Sequence, residues 1–99
     1  MNIQYSKAFI KSALKLTGKY KAALLKKIEE VKNASSVEKL SECKKLEDFE
    51  NTFRIRIGSY RAFFILVILN NTVCFEYLVN RGEAYNKEYL KSLAKKEKS

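Results

Sequence analysis

The spacing of apolar residues along this chain changes period several times, and each change marks an element. Asn2-Ile3-Gln4-Tyr5 alternates polar and apolar, as a short strand does. Ser6 stands where it can cap a helix. In that helix Phe9, Ala13 and Leu16 share one stripe with Ile10 and Leu14 beside it, and Lys7, Lys11 and Lys15 lie opposite. Gly18 is expected to stop it. A second helix is predicted over about residues 19–32, with Tyr20, Leu24, Ile28 and Val31 inward. Ser35 and Glu38 form an S-x-x-E pattern that suits a short helical turn ending at about Leu40. Residues 38–50 carry five carboxylates against three lysines and read as a surface connector.

Three strands follow, over about residues 53–57, 60–69 and 73–79. Gly58-Ser59 and Asn70-Asn71 suit tight hairpins between them. The middle strand is apolar on both faces, Phe63, Ile65 and Val67 against Phe64, Leu66 and Ile68, so it is central and covered on both sides. The helical hairpin is one cover. A C-terminal helix over about residues 83–95, through Tyr85, Tyr89, Leu90 and Leu93, is the other. Phe75 and Tyr77 are two apart and are expected on one face of the last strand, in the core. Tyr20, Phe9, Phe49, Phe63 and Phe64 are core residues by default. The order β-α-α-β-β-β-α describes one small α+β domain spanning residues 1–99, its N-terminal strand and helical hairpin packed on an antiparallel sheet.

Composition narrows what such a domain can do. The 99 residues include 20 Lys+Arg against 11 Asp+Glu, a formal net charge of +9 that calls for an anionic partner: nucleic acid, an acidic protein, or both. No apolar run reaches the ~18 residues of a membrane span. Lys7 and Lys11 interrupt any signal-like apolar segment, and a cytoplasmic location is expected. Cys43 and Cys74 match no metal spacing and read as reduced thiols. There is no histidine, which removes the usual general base and the Ser-His and Cys-His nucleophile systems. Neither a metal nor a cofactor is expected.

Five residues then stand out: Arg54, Arg56, Arg61, Arg81 and Tyr85. Arg54 and Arg56 share one side of a strand whose other side is Phe53, Ile55 and Ile57. Arg61 lies just across the tight turn, Arg81 just past the last strand, and Tyr85 one helical turn later. In a meander these ends converge. A guanidinium offers a fork of donors matched to phosphate oxygens, so such a cluster suits a phosphodiester and the extra charge of its pentacovalent transition state. Attack of a ribose 2′-hydroxyl on the adjacent phosphate needs no metal and no protein nucleophile.

These residues resemble the RelE/ParE superfamily of type II toxins. The likeness runs through Ile3-Gln4-Tyr5-Ser6, the lysine-rich hairpin, Phe53-Arg54-Ile55-Arg56-Ile57-Gly58-Ser59-Tyr60-Arg61, and Arg81 with Tyr85 four residues on. In its RelE branch the resemblance implies a ribosome-dependent mRNA endoribonuclease, held inactive by an acidic antitoxin protein. It implies RNA contact by Arg54 and Arg56, transition-state and leaving-group stabilisation by Arg61 and Arg81, and a base-orienting role for Tyr85. Lys7, Lys11 and Lys15 would meet ribosomal RNA backbone, where charge suffices. Two departures matter. Some relatives have lysine at positions 54 and 56; arginine cannot act as a general base there, which leaves Tyr85 as the candidate. Many relatives have histidine where this chain has Asn80. The alternatives are a ParE-like inhibitor of DNA gyrase without nuclease activity, and an inactive member that only binds its antitoxin.

Overall fold

The sheet is built around one doubly buried strand. A computed structural model describes residues 1–84 and 86–98. Strands β1 (Asn2–Tyr5), β2 (Cys43–Lys45), β3 (Thr52–Ile57), β4 (Tyr60–Val67) and β5 (Thr72–Asn80) lie in the order β1-β5-β4-β3-β2. Every neighbouring pair is antiparallel except β1 and β5, which run parallel, so the sheet is mixed rather than wholly antiparallel. Helices α1 (Lys7–Ala13) and α2 (Gly18–Asn33) form the hairpin, and α3 (Lys87–Glu97) is the last element.

Each helix of the hairpin starts as its residues dictate. The Ser6 hydroxyl accepts from the Phe9 N–H at 3.0 Å and caps α1. That helix ends at Ala13, well before Gly18, because Leu16 turns down into the core. Gly18 opens α2 instead, at φ +54°, a left-handed conformation that glycine adopts without strain. Leu24 and Val31 are buried on α2, and Ile28 is half-buried between them. Below the hairpin an aromatic run crosses the sheet: Tyr5–Phe9, Phe9–Phe75, Phe75–Phe64 and Phe64–Phe53 have ring centroids 5.0 to 5.7 Å apart. Each such pair contributes roughly 0.5–1.5 kcal/mol beyond its buried area.

The other face of the sheet carries a second core of Leu46, Phe63, Ile65, Val79, Ala84 and Leu93, closed by α3. Asn86 caps α3 by accepting from the Glu88 N–H at 2.9 Å, so the helix begins at Lys87. A short 3-10 turn, Arg81–Glu83, stands where the helix was expected to start. The Tyr77 and Ser92 hydroxyls meet at 2.6 Å, Lys96 pairs with Glu76 at 2.7 Å, and the Glu97 carboxylate accepts from the Asn51 N–H.

Three sequence expectations change. The supposed connector contains β2, whose register Cys43↔Ile55, Lys44↔Arg54 and Lys45↔Phe53 makes it an edge strand. Asn70-Asn71 does not form a two-residue hairpin: β4 ends at Val67, a 3-10 turn covers Ile68–Asn70, and Asn71 takes the left-handed conformation at φ +50°. Ile68 and Leu69 are therefore exposed. Finally, Phe75 and Tyr77 face opposite ways. Phe64 pairs with Phe75 but Phe63 pairs with Tyr77, so Glu76 is an extra residue in β5. The bulge sends Phe75 to the hairpin side and Tyr77 to the α3 side. Ser6 holds it, its hydroxyl donating to the Glu76 carbonyl at 2.6 Å.

Cys43 and Cys74 are free thiols. Burial pushes the Cys43 thiol up to about 11, so it stays protonated at neutral pH. Among the described residues no helix is long and apolar enough to cross a membrane.

Candidate functional site

The alternation of β3 sorts its side chains as the sequence predicts. Ile55 and Ile57 are buried towards the hairpin, and Arg54 and Arg56 lie on the opposite face. The β3–β4 hairpin closes in two residues at Gly58-Ser59, with Ile57 paired to Tyr60. Gly58 sits at φ +59°, which suits so short a turn. The next pair outward from the turn is Arg56↔Arg61. Two guanidinium-bearing residues are thus direct cross-strand partners. Lys44 of β2 stands opposite Arg54 in the same way, which extends the cationic row to the sheet edge.

Arg61 is held at the turn by its own guanidinium, which donates to the carbonyls of Gly58 and Tyr60 at 3.0 Å each. The Arg81 N–H donates to the Ser59 carbonyl at 2.8 Å. This bond carries the β5 end onto the same turn. The residues around it form a groove of about 470 Å³ lined by Arg56, Arg61 and Arg81 together with Lys19, Tyr20 and Ala23 of α2. A second hollow, of about 410 Å³, continues along the edge past Arg54, Lys44 and Lys45. The roomier hollow of the molecule, about 660 Å³ between β1 and α2, holds none of the arginines.

The electrostatics agree with the geometry. Arg61 is pushed below its ordinary value, first by burial and then by the charges of Arg56, Arg54 and Arg81; the Glu42 carboxylate acts against this. Four arginines therefore share one field. Like charges at this spacing oppose one another, and a phosphate placed among them relieves the repulsion.

The structure thus brings together Arg54, Arg56, Arg61 and Arg81. It does not bring Lys7, Lys11 or Lys15 to them: all three are exposed on α1 or the turn after it, and none lines the groove. Tyr85 lies outside the described residues. Sequence reasoning missed Lys44, because β2 has no alternation to reveal it, and it assigned Tyr20 to the core. Tyr20 is 36% exposed and faces the groove.

No family model matches the chain. Toxin RelE3 of Methanocaldococcus jannaschii is 28% identical over 87 residues, 87% of this chain and 97% of that protein. The crystal structure of the RelB-RelE antitoxin-toxin complex from Methanococcus jannaschii aligns with a TM-score of 0.70 and 26% identity, over 85% of this chain and 96% of that one. In sequence and in fold the chain is similar to RelE-like toxins of the RelE/ParE superfamily. Its fold is equally that of an arginine-to-alanine double mutant of E. coli toxin RelE in the free state, at a TM-score of 0.70 and 18% identity, over 95% of both chains. For a RelE-like chain, the arginine groove at the β3–β4 turn is the feature that calls for a function.

Proposed function

We propose that this RelE-like protein is the toxin of a toxin–antitoxin pair and cleaves mRNA on the ribosome without a metal. The observation that carries the reading is the single field shared by Arg54, Arg56, Arg61 and Arg81, the last three of which line one open groove. In the reaction the ribose 2′-oxygen attacks the adjacent phosphorus and the bond to the 5′-oxygen breaks. The products are a 2′,3′-cyclic phosphate and a 5′-hydroxyl. Negative charge builds on the non-bridging oxygens and on the departing 5′-oxygen. In this reading Arg61, whose guanidinium donates to the turn carbonyls, stabilises the first, and Arg81 the second. Arg54 and Arg56 hold the flanking backbone. No arginine takes the 2′-hydroxyl proton, since guanidinium stays charged. That step falls to Tyr85 or to positioning alone.

A groove of fixed cations also favours an acidic partner, and the related archaeal structure is a complex with an antitoxin, RelB. An acidic antitoxin for this chain is part of the same proposal. The test is controlled expression of the protein alone with mapping of RNA 5′ ends. New ends within translated messages are expected, absent in Arg61→Ala and Arg81→Ala variants that remain folded. DNA damage with intact messages would assign the chain to gyrase inhibition instead.

A further inference from the structure

We infer that Tyr20 is the stacking surface for one base of the RNA whose phosphate lies among the arginines, an inference that rests on the nuclease reading. Tyr20 projects from the first turn of α2. It belongs to the same apolar stripe as Leu24 and Val31, which are 3% and 0% exposed, yet it is 36% exposed itself. Packing on Tyr60 therefore accounts for only part of an aromatic ring at this position. The ring lines the same groove as Arg56, Arg61 and Arg81.

Its orientation is fixed from below. Tyr60, the first residue of β4, meets it edge to face, with centroids 5.5 Å apart and planes at 75°. The approach from solvent is taken by the Lys19 ammonium, 5.5 Å from the ring centroid. Lys19 is exposed and flexible. A nucleobase can displace it from the ring, and the ammonium then turns to a neighbouring phosphate. The arginines supply donors for the backbone but no flat apolar surface for a base. Tyr20 supplies that surface, and single-stranded RNA is held in this way elsewhere: charge for the phosphates, an aromatic for an unstacked base. At about 470 Å³ the groove is in the size range that takes one small ligand. Every base has a π-face, so stacking here tolerates all four and favours the larger purines.

The experiment measures cleavage of a short message bound to ribosomes by the wild-type protein, Tyr20→Phe and Tyr20→Leu, with kcat and KM separated. The same set is repeated on messages carrying one abasic nucleotide, moved stepwise past the cut. Tyr20→Phe is expected to match the wild type. Tyr20→Leu is expected to lose roughly 5- to 150-fold in kcat/KM, the size of one base–aromatic stack. At one abasic position beside the cut, the wild type is expected to fall to the Tyr20→Leu level, so that the substitution no longer matters. Equal rates for Tyr20→Leu and wild type overturn the inference, as do losses that multiply at every abasic position. Should Tyr20→Leu lose its circular dichroism signal, Tyr20→Gln takes its place under the same criteria. A wild-type protein that leaves the message intact overturns the nuclease reading itself, and this is seen before any variant is compared.

Discussion

Arg56 and Arg61 are direct cross-strand partners, one pair out from the two-residue turn at Gly58-Ser59. Opposed like charges weaken a hairpin by a few tenths of a kcal/mol. The arrangement therefore costs the fold a little and equips it to bind an anion. Replacing Arg61 by Gln should leave the melting temperature within a few degrees of wild type, because the loss of its two carbonyl bonds is offset by relief of repulsion. Cleavage should fall by about 10²–10³-fold. Thermal melts and RNA 5′-end mapping on the same preparation measure both; a melting temperature lowered by ~10 °C or more, over 1 kcal/mol for a domain of this size, would show Arg61 serving the fold rather than the site.

Gly58→Ala tests the turn. A Cβ at this position would meet nothing within 4 Å, so the penalty is conformational alone. At φ +59° it should be about 1 kcal/mol, read as a lower denaturation midpoint at unchanged m-value. Activity should fall further than stability, since the Gly58 carbonyl positions Arg61.

Thr52 is fully buried, and its Oγ1 finds no hydrogen-bond partner among the described residues. Thr52→Val keeps the shape and removes the unsatisfied hydroxyl. The variant should gain about 1 kcal/mol in urea unfolding. A loss of that size would reveal a partner for the hydroxyl in solution.

Leu93 is the fully buried contact of α3 with the second core. Leu93→Ala should cost about 2–5 kcal/mol. Hydrogen exchange should rise first in α3, because its side-chain ties Lys96–Glu76 and Tyr77–Ser92 are partly exposed.

Glu30 joins α2 to the start of the β2 loop. Its carboxylate is held below the usual range, chiefly by the Ser41 N–H it accepts at 2.8 Å, with Lys27 and the Ser41 hydroxyl assisting. A depressed carboxylate stabilises the fold above its unfolded value of 4.5 and loses that contribution as pH falls through its folded value. Wild-type stability should therefore drop by a small step below pH 4.5, and Glu30→Gln should lack the step; parallel acid titrations of unfolding decide it. The Glu30 side chain is 35% exposed, so solvent limits the size of the step.

The hairpin, the central strand and the row Arg54–Arg56–Arg61 were legible because each rests on local periodicity. Leu24 and Val31 repeat at helical spacing in α2, and Arg54 and Arg56 at strand spacing in β3. What stayed hidden depends on partners far away in sequence. Cys43-Lys44-Lys45 becomes a strand only because β3 offers an open edge. Tyr20 looks like a core residue on its own helix, and its exposure goes with the groove it shares with the turn at Gly58-Ser59. The start of α3 was misread because Asn86 outcompetes the residues before it as a cap.

The bulge at Glu76 has an effect on the site that reaches well beyond its own contacts. Before it, odd-numbered residues of β5 face the hairpin; after it, Tyr77 and Val79 face the arginines. Arg81 follows them in phase and arrives beside Arg61. Five residue steps lead from Glu76 to Arg81, roughly 16 Å at about 3.3 Å per step. Were the same residues paired regularly, without the bulge, the strand would swap inside for outside over its whole second half. Glu76 is thus a phase-setter: a residue distant from the groove that decides which side of the sheet receives the last arginine.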